Sequence, residues 1–152
     1  MLPERMFHQI LALGDGWQVT GLDYLEKSQE VLLRVAATPA LWATEKCPHC
    51  ARAPVRGYDH APERRWRHLN LCQLQTEIVC ALPRGECLEC RKVYTVRAPW
   101  EGRSRGLTQE VEAFALSLMR EMPVKKWAGF WVRPTLNYGA RSWPMSRRRG
   151  RI

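Results

Sequence analysis

Two short cysteine pairs constrain this chain more than any other feature. Cys47-Pro-His-Cys50 and Cys87-Leu-Glu-Cys90 are separated by 36 residues. Each C-x2-C unit turns tightly enough to aim two sulfurs at one point, and two such units complete a tetrahedral S4 site that suits zinc. A metal held by Cys47, Cys50, Cys87 and Cys90 has no open coordination position, so its role is structural. Zinc in such a site contributes about 10–16 kcal/mol of binding free energy, which would help to order the long connection between the pairs. A rubredoxin-like iron uses the same four ligands, and two independent redox pairs are a further alternative.

The other candidate ligands read differently. Cys72 and Cys80 fall in an extended stretch, where packing is the simpler role. His49 lies inside the first pair and faces solvent. His60 and His68 become ligands only if a cysteine pair fails, and His8 carries no partner signal.

At 152 residues the chain is long enough for one domain or two small ones, and its 45% hydrophobic and 26% charged residues are ordinary globular values. No apolar run approaches the ~18 residues of a membrane helix. The N-terminus lacks the apolar core of a signal peptide. A cytoplasmic protein with reduced cysteines is therefore expected.

The formal net charge of +9 invites a nucleic-acid reading, but its distribution weakens that inference. Residues 131–152 hold 6 Lys/Arg and no acid, whereas residues 1–46 are net negative. Basicity alone therefore does not establish DNA binding.

Hydrophobic periodicity divides the rest. Met6, Phe7, Ile10 and Leu11 mark one face of a short helix, stopped by Gly14 and Gly16. Trp17 to Val35 alternates as a β-hairpin with a turn at 26–29. Residues 66–82 read as a second extended stretch, and 91–96 as a short strand. Thr108 is placed as an N-cap. Val111, Phe114, Ala115, Leu118, Met119 and Met122 then define an amphipathic helix. Pro123 opens a second helix with Val124, Trp127, Ala128 and Trp131, which reads either as the start of a helix-turn-helix or as a packing hairpin. Beyond 131, prolines, glycines and SRRRGR leave no period, as in a disordered basic tail.

Arg64-Arg65-Trp66-Arg67-His68 is basic with an interleaved aromatic. Guanidinium forks match phosphate oxygens; a solvated strand face is the other reading.

CPHC, ERRWRHLNLCQLQTEIVCALPRGECLEC, APW and LTQEVEAFALSLMREMPV together resemble the N-terminal part of bacterial insertion-sequence transposases of the ISL-three family, over residues 4–130. That resemblance implies a four-cysteine zinc finger ligated by Cys47, Cys50, Cys87 and Cys90, and a helix-turn-helix whose first two helices fall in 107–130. It also implies a large catalytic domain with an Asp-Asp-Glu metal triad, which has no counterpart in these residues. Ala51 departs from the family, standing where such knuckles carry glycine.

The fold expected is α+β. A helix and β-hairpin fill 1–45, a zinc-ribbon-like unit 46–104, a partial helix-turn-helix 105–130 and a disordered tail 131–152. Shifted by one base, codons compatible with the tail can read GATDTELWGALVAHVEAARA, which has helix-turn-helix character. The expectation is a truncated, frameshifted transposase without catalytic activity. Its partner would be double-stranded DNA at a transposon end, touched by Arg64, Arg65, Arg67, Arg84 and Lys92. A second copy or a full-length transposase is a further expected partner, and no membrane is. The alternatives from other classes are a zinc-ribbon adaptor that binds protein and a small iron electron carrier.

Overall fold

The computed structural model describes residues 3–121. The second helix expected after Pro123 and the tail 131–152 lie outside the described residues. In chain order the elements are α1 (Pro3–Ile10), β1 (Trp17–Leu25), β2 (Glu30–Ala37), α2 (Leu41–Thr44), β3 (Val55–His60), β4 (Arg64–Leu71), β5 (Leu74–Cys80), β6 (Pro83–Cys87), β7 (Val93–Thr95) and α3 (Gln109–Glu121). The α+β class read from the sequence is the class observed. Among the described residues no helix is long and apolar enough to cross a membrane.

Helix α1 ends earlier than the glycines suggested. Ala12 takes φ 48°, the Ala12 amide donates to the Gln9 carbonyl, and the Leu13 amide donates to the His8 carbonyl. This is a Schellman cap with alanine in the usual glycine position. It turns Leu13 into the core. Of the predicted apolar face only Phe7 is fully buried, whereas Met6 and Ile10 are exposed. His8 does have a partner: its Nε2 donates to the Trp17 carbonyl at 3.0 Å.

The β1–β2 hairpin forms as its alternation predicts, with Leu25 opposite Glu30 and a bulge between Val19 and Gly21. The stretch predicted as one extended run from 66 to 82 is instead two strands that fold back on each other. Leu71 faces Leu74 across a two-residue turn, and Cys72 takes φ 56° there. No glycine, proline or Asn-Gly pair announces this turn, which is why periodicity ran straight through it. Strand β5 then lies parallel to β2, with Leu33 opposite Ile78. The result is a four-stranded sheet in the order β1-β2-β5-β4. Residues on both sides of position 45 thus share one sheet.

The second sheet, β3-β6-β7, is made from the same two chain passes. Val55 pairs with Cys87 and His60 with Pro83; the Ala61 amide donates to the Leu82 carbonyl; Arg64 then pairs with Cys80. Residues 55–87 are therefore one long hairpin, offset by bulges. Its tip belongs to the first sheet and its base to the second.

The main core lies on one face of the first sheet. Trp17, Val19, Val31, Leu33, Val35, Trp66, Ile78 and Cys80 meet Phe7, Leu13, Leu82, Val96, Ala98 and Trp100 there. Cys80 plays the packing role expected of it, while Cys72 is exposed at the turn. The loop after β7 is drawn in by Trp100, which sits edge-on to Trp17 at 5.1 Å and to Trp66 at 5.8 Å. Such aromatic pairs add about 0.5–1.5 kcal/mol each beyond the area they bury. A smaller cluster joins Val55 to the first cysteine of each pair, Cys47 and Cys87, and Trp42 and Tyr94 pack against both clusters.

Helix α3 docks through its start. Thr108 stands at the N-cap position, and its buried hydroxyl lies 3.0 Å from Nδ1 of the buried His68. His68 is thus a packing and hydrogen-bonding residue, and burial holds its imidazolium form down in pKa. Among the described residues of the predicted apolar face, Val111 alone is buried and Met119 is 40% exposed, while Met122 lies outside the described residues. The prediction from this core is that Trp100→Ala costs about 3–5 kcal/mol of stability. Urea unfolding followed by tryptophan fluorescence measures it; a loss below 1 kcal/mol would contradict the keystone role.

Candidate metal centre

The hairpin geometry explains how distant cysteines meet. Pairing of Val55 with Cys87 carries the second cysteine pair back to the first. At each pair the chain makes the same turn. The Ala51 amide donates to the Cys47 carbonyl at 2.8 Å and the Cys47 amide to the Arg52 carbonyl at 3.1 Å. The Arg91 amide donates to the Cys87 carbonyl at 3.0 Å and the Cys87 amide to the Lys92 carbonyl at 3.0 Å. The residue after the second cysteine is left-handed in both, with φ 57° at Ala51 and 58° at Arg91. The missing glycine at position 51 therefore does not change the turn; alanine adopts the glycine conformation at some cost.

The two knuckles face each other. Sγ of Cys47 lies 3.6 Å from Sγ of Cys90, and Sγ of Cys50 lies 3.6 Å from Sγ of Cys87. All four sulfurs are within 4.8 Å of one another. A tetrahedron with Zn–S bonds of about 2.3 Å has S–S edges near ~3.8 Å, so the four positions fit zinc with little movement. These are free cysteines, not disulfides.

Backbone amides are already turned toward the sulfurs. His49 donates to Cys47 Sγ at 3.4 Å. The amides of Cys90 and Glu89 donate to Cys87 and pull that thiol down to about 7. The amide of Arg52 also pulls on Cys50, but burial and the neighbouring thiols push that group up to about 11. Four thiolates cannot ionise side by side without a cation, and a divalent metal removes that conflict. Trp42 seals the site from behind. A Cβ on Gly85 would stand 2.7 Å from its ring, and one on Gly57 would stand 3.2 Å from it. Glycine is needed at 85 for this close approach. Tyr94 closes the side, its hydroxyl donating to Glu45 Oε1 at 3.1 Å.

The fold divides the residues expected to touch phosphate among three places: the two faces of β4, strand β6 and the second knuckle. Alternation along β4 puts Arg64 on the core side of the sheet and Arg65 and Arg67 on the other. Arg64 lies over the Trp66 ring and donates to Glu101 at 2.8 Å. Arg65 is 3.6 Å from Glu77. Arg67 is half-buried and donates to the His68 and Thr76 carbonyls. Arg84 is on β6, paired with Asp59. Lys92 is exposed beside the second knuckle.

The sequence reasoning passed over the loop between β7 and α3. Arg97, Arg103 and Arg105 are exposed there. Clustered arginines around Gly102 and Gly106 were the available signal, hidden by reading the segment as a linker.

Two outcomes are expected of the metal. One equivalent of zinc binds the wild-type chain and Cys72→Ser, and none survives in Cys87→Ser, as measured by atomic emission after gel filtration. Protons compete with the metal for the thiolates, so retention falls as pH drops through the range in which the thiols re-protonate. Stoichiometric zinc in Cys87→Ser would overturn the ligand set.

Residues 43–90 match the family described as the zinc-finger of transposase IS204/IS1001/IS1096/IS1165. No curated protein and no solved structure matches the chain. The matched segment runs from α2 through the whole long hairpin to the last ligand, Cys90, and includes all four cysteines. Four cysteines at near-tetrahedral spacing, in two turns that each end on a left-handed residue, give residues 43–90 a structural zinc ribbon similar to the zinc-finger of the IS204/IS1001/IS1096/IS1165 transposases.

Proposed function

We propose that residues 3–121 form a zinc-stabilised module that docks on double-stranded DNA at a transposon end and performs no chemistry itself. The observation that carries this reading is the match of residues 43–90 to a transposase zinc-finger, with its four cysteines at metal-binding spacing. A closed S4 site orders a surface and leaves no position for a substrate. The expected setting is the bacterial cytoplasm, where a second copy or a full-length transposase would share the DNA.

The second reading is a zinc-ribbon adaptor that binds protein. It is favoured by the ion pairs that already engage Arg64, Arg65 and Arg84. A phosphate must compete with those carboxylates, whereas a partner protein need not.

Salt dependence separates the two, because phosphate contacts release counterions. The full chain should bind a duplex with an affinity that falls steeply and log-linearly with salt, measured by fluorescence anisotropy from 50 to 200 mM NaCl. A synthetic 131–152 peptide, measured in parallel, should bind more weakly and with a smaller slope. If the peptide reproduces both affinity and slope, binding belongs to the charge of that segment and the docking module is refuted.

A further inference from the structure

We infer that the loop 97–105 between β7 and α3 is the phosphate-contacting element of this module, through Arg97, Arg103 and Arg105. The inference rests on the DNA reading above and adds the surface that executes it.

Three observations meet in this loop. The first is the availability of its cations. Arg97, Arg103 and Arg105 are all exposed, and none has an acid partner within ion-pair distance among the described residues. Elsewhere the exposed strand arginines are taken. Arg34 pairs with Asp23 and Glu63, Arg56 with Glu86, and Arg84 with Asp59. Arg52 faces Glu89 and Arg65 faces Glu77. Arg91 and Lys92 lie beside the metal, where a zinc tetrathiolate carries two excess negative charges that attract them. A phosphate approaching the loop displaces no carboxylate.

The second is where the neighbouring acids point. Glu101 takes the guanidinium of Arg64 at 2.8 Å, and its side chain is only 19% exposed. Glu112 turns its carboxylate onto the backbone amides of Arg103 and Ser104. Those two amides, first among the causes, hold Glu112 below the ordinary carboxylate range. Glu101 is thus taken by Arg64, and Glu112 is held mainly by the loop amides, with the Arg103 charge a smaller attraction that stays beyond ion-pair distance.

The third is rigidity. A basic loop is usually mobile, and ordering it on a ligand costs conformational entropy. This one is fixed at several points. Trp100 is buried between Trp17 and Trp66. The Gly102 amide donates to the Leu107 carbonyl at 3.0 Å, and the Arg67 amide donates to the Gly106 carbonyl at 2.8 Å. Gln109 Nε2 donates to the carbonyls of Pro99 and Glu101. A Cβ on Gly102 would fall 2.6 Å from the Glu112 carboxyl carbon, so a side chain there would push that carboxylate off the loop amides. The backbone is held while the guanidinium groups stay exposed, that of Arg97 donating to the Glu101 carbonyl at 3.3 Å. Arginine in that arrangement suits the forked oxygens of a phosphodiester.

The test uses the full chain with Arg97, Arg103 and Arg105 all changed to Gln. A control of equal charge change replaces Arg5, Arg34 and Arg56 by Gln. Both variants are first checked for one equivalent of zinc and an unchanged unfolding midpoint. For a 20-base-pair duplex, the loop variant should lose at least about tenfold in affinity and its salt slope should fall by about 2–3. The control should keep the wild-type slope to within about one. Equal losses in the two variants, or no loss in the loop variant, would overturn the inference while leaving DNA binding standing. Wild-type protein that ignores DNA at every salt concentration would instead refute the parent reading. Loop-dependent binding of poly-glutamate but not of duplex would reassign the surface to an acidic protein.

Discussion

The pairing of residues 55–60 with 83–87 is the constraint on which everything else depends. Because the same two passes continue as β4 and β5, one hairpin supplies two strands to each sheet. Its tip gains an apolar face by lying against β2, where Leu33 and Ile78 are opposite neighbours. Its base carries Cys87 to within 3.6 Å of Cys50. The 36 residues between the cysteine pairs are therefore not a loop that the metal must close against its entropy. They are a β-ladder that closes itself, and the metal locks the open end.

This division of labour decides what each unit can do alone. The first sheet has a tryptophan-rich core with Trp66 and Ile78 fully excluded from solvent. The cluster at the cysteines has only Cys47, Val55 and Cys87 fully buried. A cluster of that size supplies little apolar burial, so the sheet of β3, β6 and β7 needs the metal in a way that the larger sheet does not. Trp42 and Tyr94 transmit order between them, since each packs against both clusters.

Much of this was legible in the sequence, for identifiable reasons. The metal set was readable because C-x2-C spacing has few other uses. The β1–β2 hairpin was readable because Val31, Leu33 and Val35 alternate strictly and 26–29 is polar. The turn at Cys72-Gln73 was not, because left-handed backbone at a non-glycine residue leaves no local signature. The end of α1 failed for the same reason, with Ala12 doing what glycine was expected to do. The phosphate-contact residues were picked by charge and proximity along the chain. Strand geometry sends Arg64 and Arg65 to opposite faces, and tertiary acids such as Glu77 and Glu101 then occupy them. No one-dimensional reading contains those partners.

The metal and the arginine loop are connected through very little chain. From the last ligand, Cys90, the backbone passes through the left-handed Arg91 and the three residues of β7. The Val96 amide then donates to the Pro83 carbonyl, extending the ladder by one more bond. Ala98 and Trp100 enter the core immediately afterwards. Segment 90–100 is thus tied by the metal at one end and by the tryptophan cluster at the other, with β7 paired only to β6 between them. Removing the metal frees the first anchor but not the second. Arg97 lies between Val96 and Ala98, both buried in the main core, and the Arg103 amide is held by Glu112 just beyond Trp100, so the loop is anchored from the core side. Zinc in this chain therefore locks the knuckles and the base of β7, while the arginine loop takes its position from the tryptophan core.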